Sequence, residues 1–149
     1  MNPFDWKTVV LAKHAQHVAL VHFPIALMVT AAAFDWLALR KQNTGLLRAA
    51  YYTAVAAALA AVPSIATGLL AWQLQFEGKV PRGNLKLHML FALAASLLIW
   101  LVCWLHVREQ RRPRLIPPGL RLAIETVAVA VTLLTGHVGG FVSGVNGPG

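Results

Sequence analysis

The sequence predicts an all-α integral membrane protein, a bundle of four membrane-spanning helices. Of its 149 residues 58% are hydrophobic and 12% charged, and the mean hydropathy is +0.62, which sets it apart from soluble domains. Four stretches are apolar over the roughly 20 residues that a helix needs to cross a hydrocarbon core of about 30 Å. The basic residues collect in the links between these stretches. We therefore expect no soluble domain.

The four predicted spans cover residues 17–39, 49–74, 85–107 and 118–137 of a single domain, 1–149. Residues 1–16 mix apolar and charged side chains, which predicts a short interfacial helix on the outer surface. The second span is rich in alanine, and small residues let helices approach closely. Residues 138–149 hold so many glycines that we expect an irregular outer tail. No internal repeat is evident from the residue types.

The placement of Lys and Arg predicts the orientation. The links after the first and third spans hold eight basic residues, against five on the opposite side. An excess of Lys and Arg marks the cytoplasmic side. Both termini are therefore expected on the outer, periplasmic side of a bacterial inner membrane. The basic links then contact anionic lipid, not nucleic acid.

Histidines gather at one level of this predicted bundle. His17 and His22 open the first span, His88 lies near the start of the third, and His137 closes the fourth. Reversing the topology would not separate them, and ionisable residues inside a membrane are candidates for function. Only His106 is expected at the cytoplasmic edge.

These histidines predict a haem-binding site. A macrocycle between helices needs two imidazoles at comparable depth and a small residue where its face meets backbone, and axial histidine ligands in a helix bundle are a common way to hold haem. We predict His22 and His88 as the first ligand pair, and His137 with His17 as the alternative or a second site. Gly68 and Gly136 are the small residues at suitable depth. Because Cys103 is the only cysteine, the cofactor would be non-covalent haem b.

Two other interpretations stay open. His22, His88 and His137 together would suit a copper or zinc ion, whereas His17 and His22 point about 140° apart on a straight helix and should not share one ion. A structural accessory subunit without any cofactor is the second alternative.

Two acidic residues lie deep in the predicted spans, towards the basic links. Asp35 is expected to be neutralised by Arg40 or another residue of those links, and Glu125 by Arg121 four residues before it. A proton path or a quinone site is the functional alternative.

Three motifs, together with His88, resemble a known family. They are VHFPIAL (21–27), TGLLAW (67–72) and TGHVGGFVSG (135–144). They resemble the small four-helix membrane proteins called domain of unknown function 2231. The match departs from the family at Val18, where proline is usual, at Ala71, where many relatives have an acid, and after Gly144, where many have a further histidine. The resemblance implies a four-span fold, and neighbouring c-type cytochrome domains in some relatives fit electron transfer.

The sequence thus predicts a small b-type cytochrome, an electron-transfer subunit more than an enzyme with its own active site. Its expected partners are the lipid bilayer and the membrane subunits of a respiratory or photosynthetic complex. A quinone and a periplasmic cytochrome are the expected electron partners.

Overall fold

Four long helices make up the fold. The computed structural model describes residues 15–112 and 116–144, apart from the side chain of Gln75. The helices are α1 (Ala15–Lys41), α2 (Thr44–Phe76), α3 (Gly83–Arg111) and α4 (Pro118–Val142), and the described residues contain no strand. All four are long and apolar enough to cross a membrane. The predicted all-α, four-span fold is confirmed.

The helices run up and down around a common axis. α1 packs beside α2 and α4, and α3 packs beside α4 and α2, so α1 and α3 lie diagonally across the bundle. The turn between α1 and α2 is tight, and Asn43 caps α2 by accepting hydrogen bonds from the backbone N–H groups of Gly45 and Leu46. We call the end at this turn the basic end. We call the other end, where α2 passes to α3, the histidine end.

The bundle places small side chains inside and large apolar ones outside. Its core is mostly alanine, with Met28, Ile99 and Val102 as the larger members. Leucines such as Leu59 and Leu97 are about two-thirds exposed, at 63% and 64%. A lipid-facing surface explains this arrangement, because small residues let membrane helices approach while large apolar residues face the acyl chains.

Pro24 creates a contact between α1 and α2. A proline inside a helix has no N–H for the carbonyl four residues earlier, which here is that of Leu20. The hydroxyl of Ser64 on α2 shares its proton between this carbonyl, at 3.2 Å, and the Ala60 carbonyl of its own helix, at 3.0 Å. The backbone group that the proline leaves open therefore fixes the register of α2 against α1.

The fourth helix ends later than predicted. α4 continues beyond residue 137 to Val142 and includes Gly139 and Gly140, although each helical glycine costs about 1 kcal/mol relative to alanine. Packing explains the difference, since Gly139 lies directly against the ring of His88. The expected interfacial helix falls mostly on residues 1–14, and the end of the expected tail on 145–149, both outside the described residues.

The two helical hairpins are an internal repeat, contrary to the expectation from sequence. Residues of α1 and α2 correspond to residues of α3 and α4 at a constant offset of 71, as from 17 to 88. Along α1 and α3, buried positions coincide in the pairs Pro24 and Ala95, Met28 and Ile99, Ala31 and Val102, and Asp35 and His106. Few of the paired residue types are identical, which is why the residue types alone did not reveal the repeat.

The same offset relates α2 to α4. The coincident buried pairs are Ala50 and Arg121, Ala54 and Glu125, Ala57 and Ala128, and Ala61 and Thr132. The bundle therefore has an approximate two-fold axis that runs along the helices, and its second half carries polar residues where the first half carries alanine.

The alanine core predicts how stability responds to size. Ala57 is fully buried, so Ala57→Leu should overpack the α2 contacts and lower the free energy of unfolding by about 1–3 kcal/mol. Ala66→Leu, on an exposed face of the same helix, is the matched control. Thermal unfolding in detergent measures both, and equal melting temperatures for the two variants would contradict the packing described here.

Candidate functional site

His17 is held against α2 at the histidine end. Its Nδ1 donates to the backbone carbonyl of Ser64 at 3.0 Å and lies 3.4 Å from the hydroxyl of Thr67. The ring lies on Gly68, where a Cβ would come within 2.9 Å of the His17 Cε1. Only glycine therefore admits the ring in this position.

His88 is held against α4 in the same way. Its Nδ1 donates to the backbone carbonyl of Thr135 at 3.2 Å, and a Cβ at Gly139 would come within 3.0 Å of the His88 Cε1. Each of these two histidines precedes its carbonyl partner by 47 residues. Each half of the repeat thus builds a half-site from the same three parts, which are a histidine ring, a backbone carbonyl and a glycine.

The two half-sites meet inside the bundle. The ring centroids of His17 and His88 are 6.3 Å apart and the ring planes are nearly perpendicular, at 78°. A carbonyl can only accept, so Nδ1 carries the proton in each ring, and in the neutral imidazole Nε2 keeps its lone pair. A metal-binding histidine typically has this arrangement, with one nitrogen donating to a carbonyl and the other available to the metal.

The other predicted histidines lie elsewhere. His22 is exposed, and its Nδ1 donates to the Val18 carbonyl of its own helix at 2.6 Å. His137 is exposed and its ring packs edge-on to Phe141, with centroids 5.2 Å apart. The ring that meets His88 is therefore that of His17, not that of the predicted first partner His22, because about 140° on the helix separates the two α1 histidines.

The two predicted glycines also differ in role. Gly68 lies at the site, against His17. A Cβ at Gly136 would lie 3.4 Å from the Cδ1 of Ile25, an ordinary packing contact between α4 and α1. Gly139, which the sequence analysis matched only as part of a motif, takes the position expected for Gly136.

A second polar cluster lies buried towards the basic end. Arg121 donates from Nε and from one terminal nitrogen to the two carboxylate oxygens of Asp35, each at 2.7 Å. The arginine is 3% exposed and the aspartate is fully buried. This bidentate pair joins α4 to α1. The expectation that a basic residue of the links neutralises Asp35 is correct for Arg121, whereas Arg40 packs over the Trp36 ring instead.

Glu125 completes the cluster but not with its expected partner. Its Oε1 shares a hydrogen bond with Nε2 of His106 at 2.7 Å, which joins α4 to α3. Arg121 makes its hydrogen bonds to Asp35, so it is not the hydrogen-bond partner of Glu125, and the expected neutralisation of Glu125 by Arg121 acts only through charge within the cluster. The Oε2 of Glu125 has no hydrogen-bond partner among the described residues. His106, expected only as an edge residue, is 2% exposed.

The structure brings one group of three metal-ligating residue types together. The ligand atoms of Asp35, His106 and Glu125 all lie within 4.8 Å of one another, and no other such group occurs among residues 15–112 and 116–144. The predicted copper or zinc set of His22, His88 and His137 is thus not assembled, since His22 and His137 point outward.

These features define a class of protein: a four-helix membrane protein with a histidine pair at one end and a buried charge cluster at the other. The model of the predicted membrane protein family called domain of unknown function 2231 (DUF2231) matches residues 13–147. The chain therefore belongs to this family, as its motifs had indicated. No curated protein and no solved structure matches it.

Alanine substitution should have opposite effects on stability at the two glycines that contact a histidine ring and at a glycine that does not. Gly68→Ala and Gly139→Ala place a Cβ within about 3 Å of an imidazole, so each should displace its ring and lower the melting temperature. Gly136→Ala meets only ordinary contacts and should raise stability, because alanine favours helix by about 1 kcal/mol. Thermal unfolding of the three variants measures this order, and a loss of stability in Gly136→Ala alone would contradict it.

The charge cluster predicts a strongly non-additive pair of substitutions. Arg121→Met leaves the Asp35 carboxylate buried and unpaired, which should cost about 3–5 kcal/mol of unfolding free energy. The double variant Asp35→Leu, Arg121→Met should recover most of that loss, because no unpaired charge is left. Arg40→Met, which removes an exposed arginine, is the control. Additive losses in an unfolding cycle would show that the two side chains do not interact.

Proposed function

We propose that this protein is a small membrane b-type cytochrome in which His17 and His88 are the axial ligands of one haem. It passes electrons as a subunit of a larger respiratory or photosynthetic membrane complex. The observation that carries the proposal is the pair of imidazoles that meet across the bundle, each anchored through Nδ1 to a backbone carbonyl.

The donor set supports haem over a bare ion. Two imidazoles supply two ligands, whereas protein zinc sites normally use three or four protein ligands. A haem iron needs only two axial ligands from the protein, because the macrocycle supplies the rest. The other described residues that touch the rings, Ser64, Thr67, Thr135 and the glycines, contribute hydrogen bonds or space and no soft sulfur ligand for copper.

The spacing of the rings supports the same group. With metal–nitrogen bonds of about 2.0–2.1 Å, two imidazoles on opposite faces of one metal have centroids roughly 6 Å apart. The observed 6.3 Å between His17 and His88 agrees with this. Gly68 and Gly139 give each imidazole room to lie directly against the neighbouring helix, which holds the two rings where they face each other.

A bound haem supplies one-electron chemistry. The protein residues orient the imidazoles, and the carbonyls of Ser64 and Thr135 make the rings more electron-rich by accepting from Nδ1, which tunes the metal. His17 and His88 would hold such a haem from both sides and would leave no iron position open for oxygen, so the site would transfer electrons and would not catalyse a reaction of its own.

The location suggests the electron partners. The sequence has fewer basic residues towards the histidine end than towards the opposite end, and by the charge rule this supports a periplasmic location of the histidine end in a bacterial inner membrane. A quinol or a neighbouring membrane subunit would deliver the electron, and a periplasmic cytochrome would receive it.

Absorbance spectroscopy tests the proposal with matched histidine controls. The purified protein, expressed with ample haem and reduced with dithionite, should show a sharp α-band and a b-type pyridine haemochrome. His17→Ala and His88→Ala should each lose most of the bound haem. His22→Ala and His137→Ala remove exposed histidines of the same bundle and should retain it.

Two results would overturn the proposal. A folded protein that binds no haem would exclude a cytochrome. If the purified protein instead binds one equivalent of copper and His17→Ala does not, the histidine pair is a copper site. Haem loss in His22→Ala, with full binding in His17→Ala, would return the ligand role to the pair predicted first from the sequence.

A further inference from the structure

The buried cluster of charged residues at the basic end supports a second proposal, which does not depend on haem binding. Its four members, Asp35, His106, Arg121 and Glu125, are at most 3% exposed. They come from three helices, and α2 faces them with buried alanines, Ala50 and Ala54, at the positions that correspond to Arg121 and Glu125. Among the buried residues of α2 whose side chains the structure describes, only Ser64 is polar, and it lies towards the histidine end.

The charges of the four groups do not balance without one more cation. Two carboxylates face one guanidinium, which stays charged in proteins, so the cluster carries one excess negative charge when His106 is neutral. Burying an unpaired charge is costly, and more so inside a membrane. One positive charge makes the cluster neutral, and a divalent ion would overshoot.

The hydrogen bonds show where that charge resides. Asp35 already accepts two hydrogen bonds from Arg121, whereas Glu125 uses only Oε1, which lies 2.7 Å from Nε2 of His106. Such a separation requires a proton between the two atoms. The second oxygen of Glu125 is buried without a partner among the described residues, which leaves an acceptor for a further proton or a water molecule.

We propose that this cluster is a membrane-embedded proton-binding site. His106 and Glu125 share one proton that exchanges with solvent, whereas the ion pair of Arg121 and Asp35 takes no part in this exchange. The proton moves between Nε2 of His106, Oε1 of Glu125 and solvent at the basic end. Glu125 is seven residues from Pro118, about 10 Å along α4, so the basic end is the nearer of the two. Glu109, half-buried one turn beyond His106 on α3, is the next charged group on that path.

Nuclear magnetic resonance of the full-length protein in detergent tests this directly. The chain has three glutamates, Glu77, Glu109 and Glu125, so carboxyl-¹³C glutamate gives three side-chain signals. Glu77→Gln and Glu109→Gln identify two of them, and Glu125 follows by elimination without altering the cluster. The ring ¹⁵N signals of His106 are assigned with His106→Gln.

The proposal expects the Glu125 carboxyl signal and the His106 ring signals to change together over one pH interval in which the protein stays folded, because the two groups share one proton. Glu77, whose side chain is 74% exposed, serves as the control for an ordinary solvated carboxyl. The measurement needs no haem, so its result is independent of the proposed cytochrome function.

Two outcomes would overturn it. Signals of Glu125 and His106 that stay constant over that range would show a fixed structural pair. An equimolar divalent metal in the purified protein, whose removal by a chelator shifts the Glu125 signal, would make the cluster a metal site.

Discussion

The burial of charge at the basic end constrains the rest of the bundle. Arg121 and Glu125 lie one turn apart on α4, and each binds a different neighbour, Asp35 of α1 and His106 of α3. A charge inside a membrane needs a partner, so these bonds hold α4 at one rotation and one depth between α1 and α3. Apolar packing of alanines alone would permit several rotations, because their side chains are nearly alike.

The approximate two-fold axis explains why the two ends differ. At the histidine end both halves keep the same parts, and His17 and His88 face each other with the same carbonyl and glycine beside each. At the basic end the halves have diverged, and Arg121 and Glu125 replace the alanines of α2. A ligand between the histidines must therefore present the same chemistry to both, as a single metal does, whereas the basic end is suited to an asymmetric task.

The spans were predictable from sequence because hydrophobicity over 20 residues depends on no tertiary contact. The choice between His17 and His22 was not, since depth alone favoured the more deeply placed His22. The contact of His17 with α2 depends on a backbone carbonyl and a glycine 47 and 51 residues away. The hydrogen-bond partner of Glu125 was not predictable for a related reason. A spacing of four residues on one helix suggested Arg121, but in the folded bundle the buried guanidinium of Arg121 pairs with Asp35. The constant offset of 71 residues was the signal that would have revealed both arrangements. It relates His17 to His88 and Asp35 to His106, although the second pair differs in residue type.

The distance between the two polar layers limits what the bundle does as a whole. His17 precedes Asp35 by 18 residues and His88 precedes His106 by the same number, so about 27 Å of helix separates the layers, close to the hydrocarbon thickness of about 30 Å. Between them the core consists mostly of Met28, Ile99, Val102 and closely packed alanines, and Thr132 of α4 is a buried polar residue at this level. The described buried side chains offer too few polar groups to relay a proton across about 27 Å. The proposed electron and proton sites would therefore each exchange with their own side of the membrane, and the apolar core that keeps the helices together would also keep the two sites apart.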